Sequence, residues 1–347
     1  VGTQATVKGM KRESLIERFP IILANTYHLL LRPGIDLIKH FAGVHQFSNW
    51  PNALLTDSGG FQVMSLKALR KITKEGVTFN SHIDGKKYLL TSESVTEAQY
   101  VFGSDISMIF DECTPHPISY YDAEKSMELS ISWAERSRKA FKVRELYKQF
   151  GIVQGASYKD LRVRSVDALK NMNFEGYAIG GVVGNQSEIM NVLNYTVPLL
   201  PEEKPHYLMG VGKPTDIVQA VMRGIDMFDC ILPTRSARHG QVFTSRGIIN
   251  ISNARFRVDK GVLDDRCDCY TCKNYMNGYL YHLLNRKEML GAMLLTEHNL
   301  HYYYSLMRHL RIAIESQDWS ILLNILSEAD YELCMKSLEN ILSLIHI

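Results

Sequence analysis

ALLTDSGGFQVMSL, residues 53–66, sets the pattern of the chain: a short apolar run stops at a carboxylate, two glycines turn the backbone, and a second apolar stretch begins. A strand of the type Ala53-Leu54-Leu55 buried on both faces needs no charge at its end, so Asp57 asks for a reason. The same punctuation recurs. Apolar runs ISMIFD (106–111), FGIVQG (150–155), YAIGG (177–181), HYLMG (206–210) and MFDCILPT (227–234) each end in, or are interrupted by, a polar residue or glycine. Later run ends follow one another at about 20 to 30 residues, the length of one strand–helix unit. The longer early intervals call for inserted loops or hairpins.

Between the runs lie helical patterns. Residues 122–141 carry Trp133 and Ala134 on their apolar side, and 216–223 begin at Asp216, a candidate N-cap, and stop at Gly224. Strands alternating with helices predict a parallel sheet. A closed (β/α)8 barrel also explains why the polar residues gather at strand C-terminal ends, where barrel active sites form. A doubly wound sheet is the alternative, but no G-x-G-x-x-G turn supports it. Beyond about residue 250 the pattern changes to a cysteine knot and helical stretches at 273–291 and 297–316, with Leu300, Tyr303, Tyr304, Met307 and Leu310 spaced to face a core. The expected division is a barrel over 1–250, a metal-binding subdomain with closing helices over 251–316, and a helical tail over 317–347. No role is read into the apolar end, Leu342–Ile347.

Composition narrows the class. The 347 residues are 46% hydrophobic and 22% charged, which is globular, and no apolar run reaches the roughly 20 residues that span a bilayer. Net charge is only +2, yet residues 231–260 hold Arg235, Arg238, Arg246, Arg255, Arg257 and Lys260 against the single acid Asp259. Taken alone, that segment reads as a solvated basic surface. Six cysteines occur, three of them within Cys267-Asp268-Cys269-Tyr270-Thr271-Cys272. This spacing suits a metal better than disulfides and fits a reducing, cytoplasmic compartment. Three thiolates with one imidazole would make a closed structural zinc site. By spacing, His298, near a helix start that Thr296 would cap, competes with His282 and His301 for the fourth position. Three reduced core thiols, or an iron–sulfur centre, are the alternatives.

Asp57, Asp111 and Asp229 are the unusual carboxylates. Each would be a capping or salt-bridging group by itself; three on one barrel rim point to a site. Two close carboxylates suit displacement at an anomeric carbon, one as nucleophile and one for proton transfer. A glycosidase would use the same pair. Gln154 and the Gly180-Gly181 backbone add groups able to read the edge of a planar heterocycle, with Phe61 and Met209 available to cover its faces unless they are simply core.

Taken together, TDSGGFQVMSL, IFDECTP, GIVQG, YLMGVGKP, DMFDCILPTRSAR and CDCYTC…EHNL resemble the tRNA-guanine transglycosylase family in order and spacing, from VGT at residue 1 to about residue 316. The resemblance implies an irregular (β/α)8 barrel with a zinc-bearing subdomain, a homodimer, and exchange of the wobble guanine of tRNAs with a GUN anticodon for a 7-deazaguanine. It implies Asp229 as nucleophile and Asp57 as general acid/base, and it sets Asp111, Gln154 and Gly181 on the base edge. Phe61 and Met209 fall on its faces, Cys113 in the pocket, Arg235 and Arg238 on anticodon phosphates, and His298 with Cys267, Cys269 and Cys272 on zinc. VGT then ends the first barrel strand, so an N-terminal hairpin and most of that strand are expected to be missing and the barrel incompletely closed. The base-pocket loop, Gly180-Gly181-Val182-Val183-Gly184-Asn185, is one residue shorter than the bacterial GGLAVGE and has Asn in place of the acid. This leaves preQ1 and queuine both open as the incoming base. A non-catalytic tRNA-binding subunit is the alternative from another class, disfavoured by the presence of both Asp57 and Asp229. An archaeosine-type enzyme is disfavoured because no appended RNA-binding domain follows the barrel.

Overall fold

The computed structural model describes residues 1–65 and 70–345; Leu66, the last residue of the opening stretch, and the side chains of the apolar tail 342–347 lie outside the described set. The chain divides into two compact units. The first comprises Val1–Thr6, Pro20–Met209 and Arg223–Asp229, and the second Val7–Phe19, Gly210–Met222 and Cys230–Ile347.

In chain order the strands are β1 (Ile21–Ala24), β2 (Ala53–Thr56), β3 (Arg70–Ile72), β4 (Gly76–Asn80), β5 (Lys87–Thr91), β6 (Ile106–Met108), β7 (Lys148–Val153), β8 (Gly176–Ile179), β9 (His206–Leu208), β10 (Met227–Phe228), β11 (Gln241–Thr244) and β12 (Gly247–Asn250). Seven of them form one all-parallel sheet in the order β1-β2-β6-β7-β8-β9-β10, the curled wall of a (β/α)8-like barrel. All six runs singled out in the sequence are strands of this sheet. Beside β1, the Gly2 amide donates to Leu23 O at 2.6 Å and the Asn25 amide to Thr3 O at 3.3 Å, so the VGT segment continues the wall. The long early interval holds the antiparallel β3-β4-β5 sheet.

Register brings the strand ends level. Ala24 pairs with Thr56, Val153 with Ile179, and Leu208 with both Ile179 and Phe228, so the residues just after them emerge on one rim. The helices behind the wall are held by burial. On Tyr120–Ala140, Trp133 and Ala134 are wholly buried, as their spacing predicts, and Trp133 stacks on Phe110 with centroids 4.7 Å apart. Burying such an aromatic is worth about 2 to 3 kcal/mol. Ser119 caps this helix through its side chain.

In the second unit the helix Met289–Ser316 is the spine; Leu300, Tyr303 and Leu310 are buried along it, while Tyr304 and Met307 are half-buried. Three helical expectations differ. The stretch expected over 273–291 is broken: helices run Tyr270–Asn274 and Asn277–Asn285, and the spine begins at Met289. Asp216 is not an N-cap: the helix runs Pro214–Val221 from Lys213, with Asp216 buried in its first turn, because Pro214 is preorganised for the first helical position. Thr296 is not a cap either; it lies inside the spine with its hydroxyl on Ala292 O at 2.7 Å. No described helix is long and apolar enough to cross a membrane.

Candidate active site

All the rim residues belong to the first unit. Asp57 follows β2 and is held from three directions. Oδ1 accepts from the Thr26 amide at 2.8 Å and the Gly59 amide at 3.2 Å. Oδ2 accepts from the side-chain amides of Asn25 and of Gln62, the latter at 3.2 Å. Burial drives this carboxyl up to about 6, against the opposing donors of Asn25, Thr26 and Gln62, and the negative charge of Asp229 pushes in the same direction as burial. A carboxyl poised near neutrality can both give and take a proton.

Asp229 follows β10. The Tyr207 hydroxyl, from buried β9, donates to Asp229 Oδ1 at 2.6 Å. Burial, and next the Asp229 charge, hold the Tyr207 phenol well above its ordinary pKa, so it stays a neutral donor to the carboxylate. Asp57 and Asp229 are thus two carboxylates within electrostatic reach, one near its midpoint and one oriented by a phenol.

Asp111 is buried beyond β6. It accepts from Ser58 Oγ at 3.1 Å and Gln154 Nε2 at 2.8 Å, and burial raises its carboxyl to about 6 despite both donors. Gln154 Oε1 is buried without a partner among the described residues. At Gly181, φ is +62° and a Cβ would stand 2.4 Å from that same Oε1, so only glycine lets the backbone come this close. A buried acid, an amide with an unspent acceptor and the half-buried Gly181 backbone can make a recognition surface for a flat polar ligand.

Phe61, in Gly60–Ser65, is 66% exposed, which no core role explains, and Met209 is half-buried directly after β9. Cys113 is half-buried against the cluster of Tyr27, Phe110 and Trp133; burial and the neighbouring Asp111 push its thiol up to about 12, so it is neutral. Sequence reasoning missed Asn25, Thr26, Gln62, Ser58 and Tyr207. Asn25-Thr26 had a readable signal, because IILA (21–24) ends in polar residues like the other runs. Tyr207 had none, since inside an apolar strand it looks like core.

The second unit holds the remaining candidates. Cys267, Cys269, Cys272 and His298 offer ligand atoms that all lie within 4.8 Å of one another. His298 Nδ1 is 3.7, 3.4 and 3.3 Å from the three sulfurs in that order, while Nε2 lies 2.8 Å from Phe243 O. A carbonyl on Nε2 fixes the tautomer that leaves Nδ1 free to ligate, so the four side chains fit a metal ion. Of the rivals, His301 faces Asp268 at 2.8 Å and His282 stacks on Tyr279. Arg235 and Arg238 are exposed on Leu232–Arg238, with Arg238 Nη1 donating to Thr234 O at 2.8 Å.

The chain thus combines a (β/α)8-like barrel wall bearing paired rim carboxylates with a three-cysteine, one-histidine cluster able to hold a metal ion. Residues 1–329 match the family model of queuine tRNA-ribosyltransferase. The queuine tRNA-ribosyltransferase of Rickettsia typhi is 54% identical over 318 residues, covering 91% of this chain and 88% of its own. That of Rickettsia bellii is 54% identical over 314 residues, covering 90% and 87%. The chain belongs to the queuine tRNA-ribosyltransferase family, and it is a pentosyltransferase.

Proposed function

We propose that this enzyme exchanges guanine at the wobble position of GUN-anticodon tRNAs for a 7-deazaguanine, through a covalent ribosyl-aspartate. The observation that carries the reading is the pairing of Asp57, poised near 6, with Asp229, oriented by Tyr207, on the rim of the barrel wall. Asp229 attacks ribose C1′, the glycosidic C–N bond breaks, and the bonding pair leaves with guanine, which takes its proton from Asp57. The incoming base then returns a proton to Asp57 as its nitrogen attacks C1′ and displaces Asp229. Two inversions retain configuration, and the ester conserves the bond energy, so no nucleotide triphosphate is needed.

Asp111, Gln154 and Gly181 read the edge of the base, Phe61 and Met209 cover its faces, and Cys113 lines the pocket as a neutral thiol. Arg235 and Arg238 hold anticodon phosphates. Zinc on Cys267, Cys269, Cys272 and His298 would supply a closed structural cross-link with no open position for chemistry. The working form is a cytoplasmic homodimer, which molar mass by light scattering tests.

The loop after Gly181 bears on the choice of base. Asn185 caps Gln186–Thr196 through its side chain, and Glu188 Oε2 accepts from the Asn185 amide at 2.7 Å. Both polar groups are engaged in the cap, and the loop is one residue short, which favours a bulkier 7-substituent over the compact aminomethyl cation of preQ1. Queuine is therefore an accepted base.

The test uses tRNA carrying labelled guanine at the wobble position, with preQ1 and queuine supplied in parallel to metal-loaded enzyme. Release of label supports exchange, and kcat/KM ranks the bases. No release with either base would overturn the activity; a strong preference for preQ1 would overturn only the salvage reading.

A further inference from the structure

The turn that carries Gln154 is gripped by a buried cation with no carboxylate partner among the described residues. Arg162, on the helix Lys159–Asn171, is fully buried, and among the described residues the ionisable groups acting on it are Tyr195 and Cys113. Its Nε donates to Ala156 O and its Nη1 to Val153 O, each at 2.9 Å, while Nη2 has no partner among the described residues. The two carbonyls bracket Gln154 and Gly155. Val153 O also accepts from the Gly180 amide at 3.1 Å, so the guanidinium reaches the second base-reading segment through a shared acceptor. Three residues further along the same helix, Ser165 Oγ accepts from the Gln154 amide at 3.1 Å. Gly155 has φ +135°, and a Cβ there would stand 2.9 Å from the Arg162 amide, so the turn lies directly against the helix backbone.

An apolar side chain of similar volume would fill this space without burying a charge. What it could not do is hold two carbonyls at a fixed separation, which a planar fork of N–H donors does. We infer that Arg162 is a positioning residue for base recognition, fixing the Val153–Ala156 turn so that the Gln154 amide and the Gly180-Gly181 edge meet the base in register. This rests on the reading of Gln154 as a base contact. The tight fit of that amide, with Gln154 Nε2 2.9 Å from where a Gly180 Cβ would be, leaves little room for the turn to shift without losing the edge.

The experiment compares Arg162→Met, Arg162→Lys, Ser165→Ala and Gln154→Ala in the full-length enzyme, with Arg164→Met, which loses only exposed ion pairs to Glu124 and Glu128, as the control on the same helix. Steady-state exchange and melting temperature are measured for each. Arg162→Met should raise KM for the incoming base roughly tenfold to a hundredfold, the scale of a small misplacement, while kcat stays within about twofold. Its melting temperature should not fall in proportion. Arg162→Lys should show the same split, since a point charge cannot span both carbonyls, and Ser165→Ala a smaller version of it. In the Gln154→Ala background, Arg162→Met should add no more than about twofold to KM. A melting loss with unchanged KM, or a full KM penalty retained in the Gln154→Ala background, would overturn the inference. If Arg162→Met does not fold, Arg162→Lys and Ser165→Ala decide it on the same criteria. An unchanged KM in Gln154→Ala alone would instead overturn the base-contact reading.

Discussion

Asn25→Ala separates the ionisation of Asp57 from its mere presence. Asn25 donates to Asp57 Oδ2, and this donor is the largest of the influences opposing burial at that carboxyl. A hydrogen bond to a charged group is worth about 1.5 to 3 kcal/mol, and one pH unit corresponds to about 1.4 kcal/mol, so losing it should raise the Asp57 carboxyl by roughly one to two units. Starting from about 6, the acid limb of the exchange reaction should move to between about 7 and about 8. At pH 7 the ionised fraction then falls from about nine-tenths to between about one-half and one-tenth, and kcat/KM for the incoming base falls about two- to tenfold. By pH 9 most of the loss should be recovered. The assay is kcat/KM for the base between pH 5 and 9, with wild type and variant at matched metal content and tRNA. A loss of the same size at every pH, with the limb still near 6, would refute the reasoning, because Asn25 would then act on geometry and not on the charge of Asp57.

Tyr207→Phe should lower kcat by about one to two orders of magnitude with little change in KM for the base, since it removes a phenolic donor to Asp229 at the cost of one charge-assisted bond; single-turnover rates check this. Asp111→Asn should melt higher than wild type at pH 8. The Asp111 carboxyl rises on folding from 3.8 to about 6, so its contribution is fully present below about 3.8 and is lost as pH rises through about 6, a swing of about 3 kcal/mol. The advantage should vanish below pH 4 in thermal scans, while KM for the base rises. Removing metal with a strong chelator, or His298→Ala, should cost the second unit its cooperative melting, read by calorimetry alongside metal content; one zinc per chain is expected in the intact enzyme.

Much of the barrel was legible because its signals are local. A buried parallel strand must be apolar throughout, and its C-terminal end must stop, so ALLTD and MFDC announce both the strand and the carboxylate in one stretch. The cysteine cluster was legible for the same reason, since three ligands share one turn. The helix boundaries were less so. Asp216 looked like a cap because acids favour first turns, but Pro214 fixes the start two residues earlier. His298 was placed near a helix start, yet apolar periodicity carries the spine back to Met289 and leaves it mid-helix.

What the sequence hides most completely is the state of the groups it reveals. TDSGG places a carboxylate after a strand, but the same five residues say nothing of the burial that lifts its pKa, or of Asn25 and Thr26, 32 and 31 residues away, whose donors hold that rise to about 6. Asp229 takes its orientation from Tyr207, and the Gln154 turn takes its shape from Arg162; in sequence one is an aromatic inside a strand and the other an arginine on a helix. Neither has a local signature, because each acts through a contact that exists only after the wall has formed. The proposed reactive residues sit at strand ends, and so do Asn25 and Thr26, whereas Tyr207 and Arg162 lie buried within a strand and a helix, where a polar side chain is costly unless engaged. Buried polar groups that bond to a rim residue, or to the backbone carrying one, are therefore the place to look for determinants of pKa and register.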